Sequence, residues 1–441
     1  MSLPKDFIWG FGTASYQIEG AISSDGRLPS IWDTFCNIPG KIADASSGAV
    51  ACDSYNRTTD DIALLKQYGA KAYRFSISSR VVPLGGRNDP LNEAGLRHYV
   101  NFVDALLEAG IQPMVTLYQW DLPEALQQRY GGLLDKDEFV ADFAQYAQTL
   151  FRALPKVKIW MTFTEPWIIS VFRYNRGVFA PSRCSDRLVA SISASAIRLM
   201  LLVAPSGDSS LECWIVGHNI LLAHATAVKI YREEFQSMDG GDWAYPFDTD
   251  DENDRAACHR FIDFFLGWFA DPIYRGCYPA TMKHQLGNRL PTWQPEEIKL
   301  VKRSNDFFAL DYYSSTFVKH KDVPPSLDDY MGNVEVTWHN IRGEEVGPES
   351  GLYYMRPNAE GLRHLLNWIA DRYGPKIYIV ENGTSIKGEN AMPMSKALDD
   401  SFRCDFYRNH INAIIKARVE DKSLLDNFEW ADSYKTRFSV T

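Results

Sequence analysis

The sequence lacks the features that mark most ligand classes. No run of Lys and Arg exceeds two residues, and the 441-residue chain carries a net charge of −10. A nucleic-acid partner needs clustered cations, so none is expected. There is no CxxC pair, no HExxH and no Gly-rich phosphate loop, which speaks against a metal or nucleotide cofactor. The seven cysteines, at 36, 52, 184, 213, 258, 277 and 404, are odd in number and scattered. That pattern suits reduced thiols rather than a disulfide framework. The opening MSLPKDFIWGFG has no apolar signal core, and together these features give a cytoplasmic location as the expectation. The longest apolar stretch, LVASISASAIRLMLLVA (188–204), is interrupted by Arg198 and falls short of the roughly 20 residues that span a bilayer. It reads as a buried or amphipathic helix, with no membrane partner.

What is present is a rhythm. Strand-like runs at FIWGFGTAS (7–15), AYRFSIS (72–78), MVTLY (114–118), KVKIWMTF (156–163), DFFALDYYSS (306–315) and KIYIVENG (376–383) alternate with helix-like runs. The helical stripes fall at 59–69, 93–110, 137–154 and 359–374, each with apolar residues three and four apart. Repeated βα units without a long linker give a parallel sheet. At this length the natural architecture is one α/β domain over residues 1–441, a decorated (β/α)8 TIM barrel.

In such a barrel the chemistry sits at the carboxyl ends of the strands. Two ends carry a glutamate: Glu165 in MTFTEPW, where Pro166 stops the strand, and Glu381 in IYIVENG. Far apart in sequence, they meet only if the barrel closes. Two carboxyls across a pocket suit glycoside cleavage, one protonating the departing oxygen and the other working at the anomeric carbon. A bare strand-ending acid is more often a surface residue, and it is the pair that points to catalysis.

With these residues in place, the sequence resembles glycoside hydrolase family 1, and within it the fungal intracellular β-glucosidases. The resemblance rests on FIWGFGTASYQIEGA, YRFSIS, LYQWDLPEAL, TFTEPW, GVFAPSR, VGHNILLAHA, FFLGWFADPIY, IVENGTS and LLDNFEWADSYKTRF, in family order from Pro4 to Thr441. It implies a retaining double displacement on a small-molecule β-glucoside, with Glu165 as acid/base and Glu381 as nucleophile about 5–5.5 Å apart. It implies that Arg74 and Tyr313 support the nucleophile, and that Gln17, Gln119, Thr164, Glu429 and Trp430 hold the sugar. Glu429 favours a neutral hexose, because a carboxylate there repels phosphate.

The sequence also departs from the family pattern. Thr164 stands where the family has Asn, Gln119 where it has His, and Asp311 where it has Asn; SISSR lacks an expected tryptophan, and Ser54 and Asn56 replace histidines. A strand before Gly241 and another before Ser423 are missing, as is a closing C-terminal helix, while 188–204 has no family counterpart. Six strands rather than eight are therefore expected to be recognisable. The alternative reading is a sugar-binding barrel without turnover, or an incomplete gene product. Oligomeric state is not legible.

Overall fold

The computed structural model describes residues 7–185, 207–234 and 243–419. The stretch 188–204, the expected gaps before Gly241 and Ser423, Glu429 and Trp430 fall almost wholly or entirely outside these residues.

All six expected strands form. β1 (Gly10–Gly12), β2 (Ala72–Ser76), β3 (Gln112–Tyr118) and β4 (Ile159–Phe163) pair in that order, each parallel to the next. Downstream, β5 (Trp243–Pro246) joins β7 (Ser315–His320) in parallel, and β8 (Val334–Thr337) adds to β7 antiparallel. The remaining pair is β6 (Phe308–Tyr312) and β9 (Ile377–Asn382), again parallel. The barrel wall is thus an arc of four strands, β1 to β4, facing an arc of two, β6 and β9. Ala72, Met114, Met161, Phe307 and Ala309 form one buried cluster, with Ile159, Tyr378 and Val380 against it, so both arcs line a single interior. This is the (β/α)8 barrel, with six of its wall strands among the described residues.

The helices follow the apolar periodicity. Glu93–Glu108 buries Tyr99, Val103 and Leu106, and Lys136–Ala153 buries Phe139, Phe143 and Leu150, as positions three and four apart on one face should. Their starts are fixed by Asn92 and Asp135, whose side chains accept from the N3 amides of Gly95 and Glu138. Leu64 and Leu107 lie on the solvent side of the stripes instead, so the buried faces are narrower than the sequence suggests. Helix Glu212–Glu234 passes behind β4, where His224 Nδ1 meets Thr162 Oγ1 at 2.9 Å. By composition its Glu212–Glu233 span could cross a membrane, but 78% of its most apolar window is buried in the fold.

The arcs meet unevenly. Between β4 and β6 lies a cavity of about 30 Å³, bounded by Phe163, His224, Asn305 and Phe308 among others. At the other seam a Cβ built on Gly12 would stand 3.3 Å from the Val380 carbonyl, so β1 and β9 approach closely. β1 is nonetheless exposed throughout, and Trp9 and Phe11 are each 44% accessible, whereas every residue of β2 is buried. Burial predicts the stability map. Trp160→Ala is expected to cost about 3–5 kcal/mol and Phe11→Ala no more than about 0.5 kcal/mol, measured by urea unfolding of the two variants.

Candidate active site

Each arc delivers one glutamate. β4 ends at Phe163, and Glu165 then takes a left-handed backbone conformation, φ 49°, before Pro166 opens the helix Pro166–Tyr174. Proline suits that first helical position, since its missing N–H would have no partner there. The Glu165 carbonyl accepts the Ile169 N–H at 3.0 Å, closing the first turn. The positive φ of a non-glycine residue costs about 1–3 kcal/mol and persists only where the surroundings enforce it. Here the buried Trp167, Ile169, Val171 and Tyr174 fix the helix, and the helix fixes the turn.

Glu381 is the penultimate residue of β9. It pairs with Asp311 beside a register slip between Leu310 and Asp311, a local irregularity that re-aims side chains. Asn382 Nδ2 donates to the Tyr312 carbonyl at 2.5 Å and pins the strand end. Glu381 is then held by donors on both oxygens. Arg74 Nη1 and Gln119 Nε2 donate to Oε1, the latter at 3.2 Å, and the Tyr313 hydroxyl donates to Oε2. Arg74 is 3% exposed and projects from β2. Its Nη2 donates to Thr164 Oγ1 and its Nε to Thr116 Oγ1 at 3.0 Å. Burial, followed by the charges of Glu381, Asp311 and Glu165, drives the Tyr313 phenol far above its ordinary value. It therefore stays protonated and serves as a donor. The same charge set places Glu165 within electrostatic reach of the Glu381 shell.

The structure thus brings Glu381, Arg74, Tyr313, Gln119 and Thr164 together, with Glu165 beside them. Thr164 itself is only 1% exposed and its hydroxyl is turned to Arg74. Gln17 lies exposed on the short helix Ser15–Ile18, just beyond the carboxyl end of β1. That helix is fixed from below. Ser15 donates its N–H to Ser76 Oγ at 2.8 Å and its hydroxyl to Asp121 Oδ2 at 2.9 Å. Glu19, one residue past the helix, accepts from the Tyr99 hydroxyl at 2.5 Å and lies 3.7 Å from Arg80 Nε. Burial pushes the Glu19 carboxyl up to about 7, against the pull of Arg80.

Sequence reasoning missed Thr116, Arg173 and the positioning role of Trp120. Trp120 has φ 80°, donates its indole N–H to the Thr164 carbonyl at 3.2 Å, and receives Arg173 Nη2 on its own carbonyl at 3.2 Å. Arg173 is fully buried, also donates to the Tyr118 hydroxyl at 2.9 Å, and lies 5.4 Å from the Trp120 ring centre. Thr116 had a signal, a hydroxyl within the apolar run MVTLY. Arg173 had only its place within the apolar WIISVFRY.

Two glutamates at the strand ends of a (β/α)8 barrel, one of them cradled by a guanidinium, a phenol and an amide, define a glycoside hydrolase site. The profile of Glycosyl hydrolase family 1 matches residues 1–441, and the chain belongs to that family. Beta-glucosidase 1B of Phanerodontia chrysosporium is 49% identical, the match covering 100% of this chain and 81% of that one. The crystal structure of a family 1 β-glucosidase from Humicola insolens in complex with glucose is 55% identical. It superposes with a TM-score of 0.91 and covers 100% of this chain and 94% of that one. A rice β-glucosidase captured in a covalent complex with glucose is 36% identical, TM-score 0.88, covering 99% and 93%.

Two stability experiments follow from this geometry. Arg74→Met leaves Glu381 without its counter-charge and is expected to destabilise the fold by about 3–5 kcal/mol, and the double variant Arg74→Met/Glu381→Gln to recover part of that loss in urea unfolding. Glu19 stays neutral in the fold until about pH 7, whereas its unfolded value is 4.5. The wild type therefore loses stability as pH rises from 4.5 through 7, and Glu19→Gln, which cannot ionise, escapes that loss. Between about pH 5 and 8 the variant is expected to gain about 2–3 kcal/mol relative to wild type, read as a widening difference in melting temperature.

Proposed function

We propose that this chain is a retaining β-glucosidase that removes terminal non-reducing β-D-glucosyl residues from short β-glucosides. The observation that carries the reading is Glu381, its two oxygens shared among Arg74, Gln119 and Tyr313 at the end of β9. A carboxylate so held is oriented and charge-balanced for attack. Glu165 at the end of β4 gives its proton to the departing glycosidic oxygen while Glu381 bonds the anomeric carbon, forming a glucosyl ester. Glu165, now a carboxylate, takes a proton from water, and that water opens the ester with net retention. The covalent glucose complex of the rice relative supports this double displacement, and the glucose in the Humicola insolens structure supports the sugar class.

Arg74 and Tyr313 release their hold in proportion as Glu381 loses charge to the ester. Gln17, Gln119, Glu429 and Trp430 are assigned to the sugar. Thr164 serves the Arg74 guanidinium, as its burial and its hydroxyl's contact support. Cellobiose belongs among the substrates as a short β-glucoside. A cytoplasmic location is part of the same proposal, and the seven free thiols support it.

The reading is tested by intact mass after incubation with an activated 2-deoxy-2-fluoro-β-glucoside. The expected result is one fluoroglucosyl unit mapped to Glu381, and a chain that gains no mass is not a retaining glucosidase. Glu165→Ala is expected to lower kcat/KM on β-glucosides with poor leaving groups by about 10²–10⁴-fold, with a much smaller loss on dinitrophenyl glucoside, which needs no proton.

A further inference from the structure

Gln119 follows β3 directly, and its amide is divided in an unusual way. The N–H end is given to Glu381 Oε1 at 3.2 Å, an oxygen that Arg74 already serves. The carbonyl end, Oε1, is buried and has no hydrogen-bond partner among the described residues. Buried amides normally satisfy both ends, so a pose that leaves the acceptor unpaired points to the bond with Glu381 as what orients the amide. The backbone holds the amide in this pose. Trp120, the next residue, sits at φ 80° with its indole on the Thr164 carbonyl and its own carbonyl on Arg173. Asp121, one further, is buried and receives Ser15 Oγ at 2.9 Å and the Ser79 N–H at 3.2 Å. With both following residues tied, Gln119 has little freedom to turn away from Glu381.

We infer that Gln119 is a positioning residue for the nucleophile, fixing Oε1 of Glu381 jointly with Arg74. The inference rests on Glu381 as nucleophile and adds to Gln119 a task beyond holding sugar. Among the described residues, the ionisable groups around Glu381 are Arg74 from β2, Asp311 and Tyr313 from β6 and its end, and Glu165 from the end of β4. Gln119 is uncharged, so replacing it by Met removes a donor from Glu381 without altering any formal charge nearby.

The test compares wild type, Gln119→Met and Gln119→Glu. In protein labelled with ¹³C at the glutamate carboxyls, the resonance missing from Glu381→Gln reports position 381, and this reading needs no turnover. Its titration midpoint is expected to rise by about half to one pH unit in Gln119→Met, and further in Gln119→Glu, where two carboxyls share one site. The acidic limb of kcat/KM on an activated aryl β-glucoside is expected to rise with it. kcat should fall about 10-fold while KM changes less than about 3-fold. An unmoved midpoint, or a rise in KM alone, overturns the assignment and leaves Gln119 as a sugar contact. A midpoint that moves in a protein without glucosidase activity leaves Gln119 as a donor that holds the Glu381 carboxylate and discards the proposed function.

Discussion

One guanidinium holds the arrangement together. Arg74 stands in β2 and reaches Thr116 in β3, Thr164 just past β4 and Glu381 in β9. Those strands belong to both arcs of the barrel wall, so a single side chain links parts that share no backbone ladder among the described residues. A buried cation is tolerable only when paired and hydrogen-bonded, and Glu381 faces the converse requirement. Closing the barrel interior and charging the nucleophile are therefore one constraint. It also explains why Thr164 is drawn inward, since the second arm of the fork needs an acceptor.

Around this pair the backbone is strained where it matters. Glu165 and Trp120 are non-glycine residues at positive φ, both just beyond the ends of adjacent strands. Each is held by contacts that do not depend on its own preference. Glu165 is set by a helix whose apolar face is buried, and Trp120 by the Thr164 carbonyl and the guanidinium of Arg173. Such strain survives only when several contacts agree, and here the contacts on one strand end are made by residues of the other. Arg173 lies on the helix that begins at Glu165, so the acid and the turn carrying Gln119 are tied through one buried side chain.

The wall strands and the main helices were legible because their signals are local: alternation or apolar runs ended by Gly, Pro or Glu, and stripes with a helical period. The hairpin β7–β8 was not, because Ser315–His320 starts where the run DFFALDYYSS (306–315) ends, with no turn signal to set it apart, and Val334–Thr337 is only four residues long. Glu165 and Glu381 were legible because a carboxylate ending an apolar strand is unusual and a pair of them is more so. Arg74, Tyr313 and Gln119 came only through family resemblance, since each alone reads as an ordinary residue. The orientation of Thr164, the division of the Gln119 amide and the role of Arg173 depend on contacts more than forty residues apart, which no short window contains.

The two carboxylates ride on different arcs, Glu165 on the four-stranded one and Glu381 on the two-stranded one. Their separation is thus an inter-arc distance rather than a property of either strand. Retention requires roughly 5–5.5 Å, whereas a gap of about 6.5–9.5 Å admits a water and inverts the sugar. A spread of the arcs by only about 1–4 Å would carry the site from one stereochemical regime to the other. The anomeric configuration of the released hexose is in this sense a gauge of mechanical tightness, and Arg74 is the strut whose stiffness it reads.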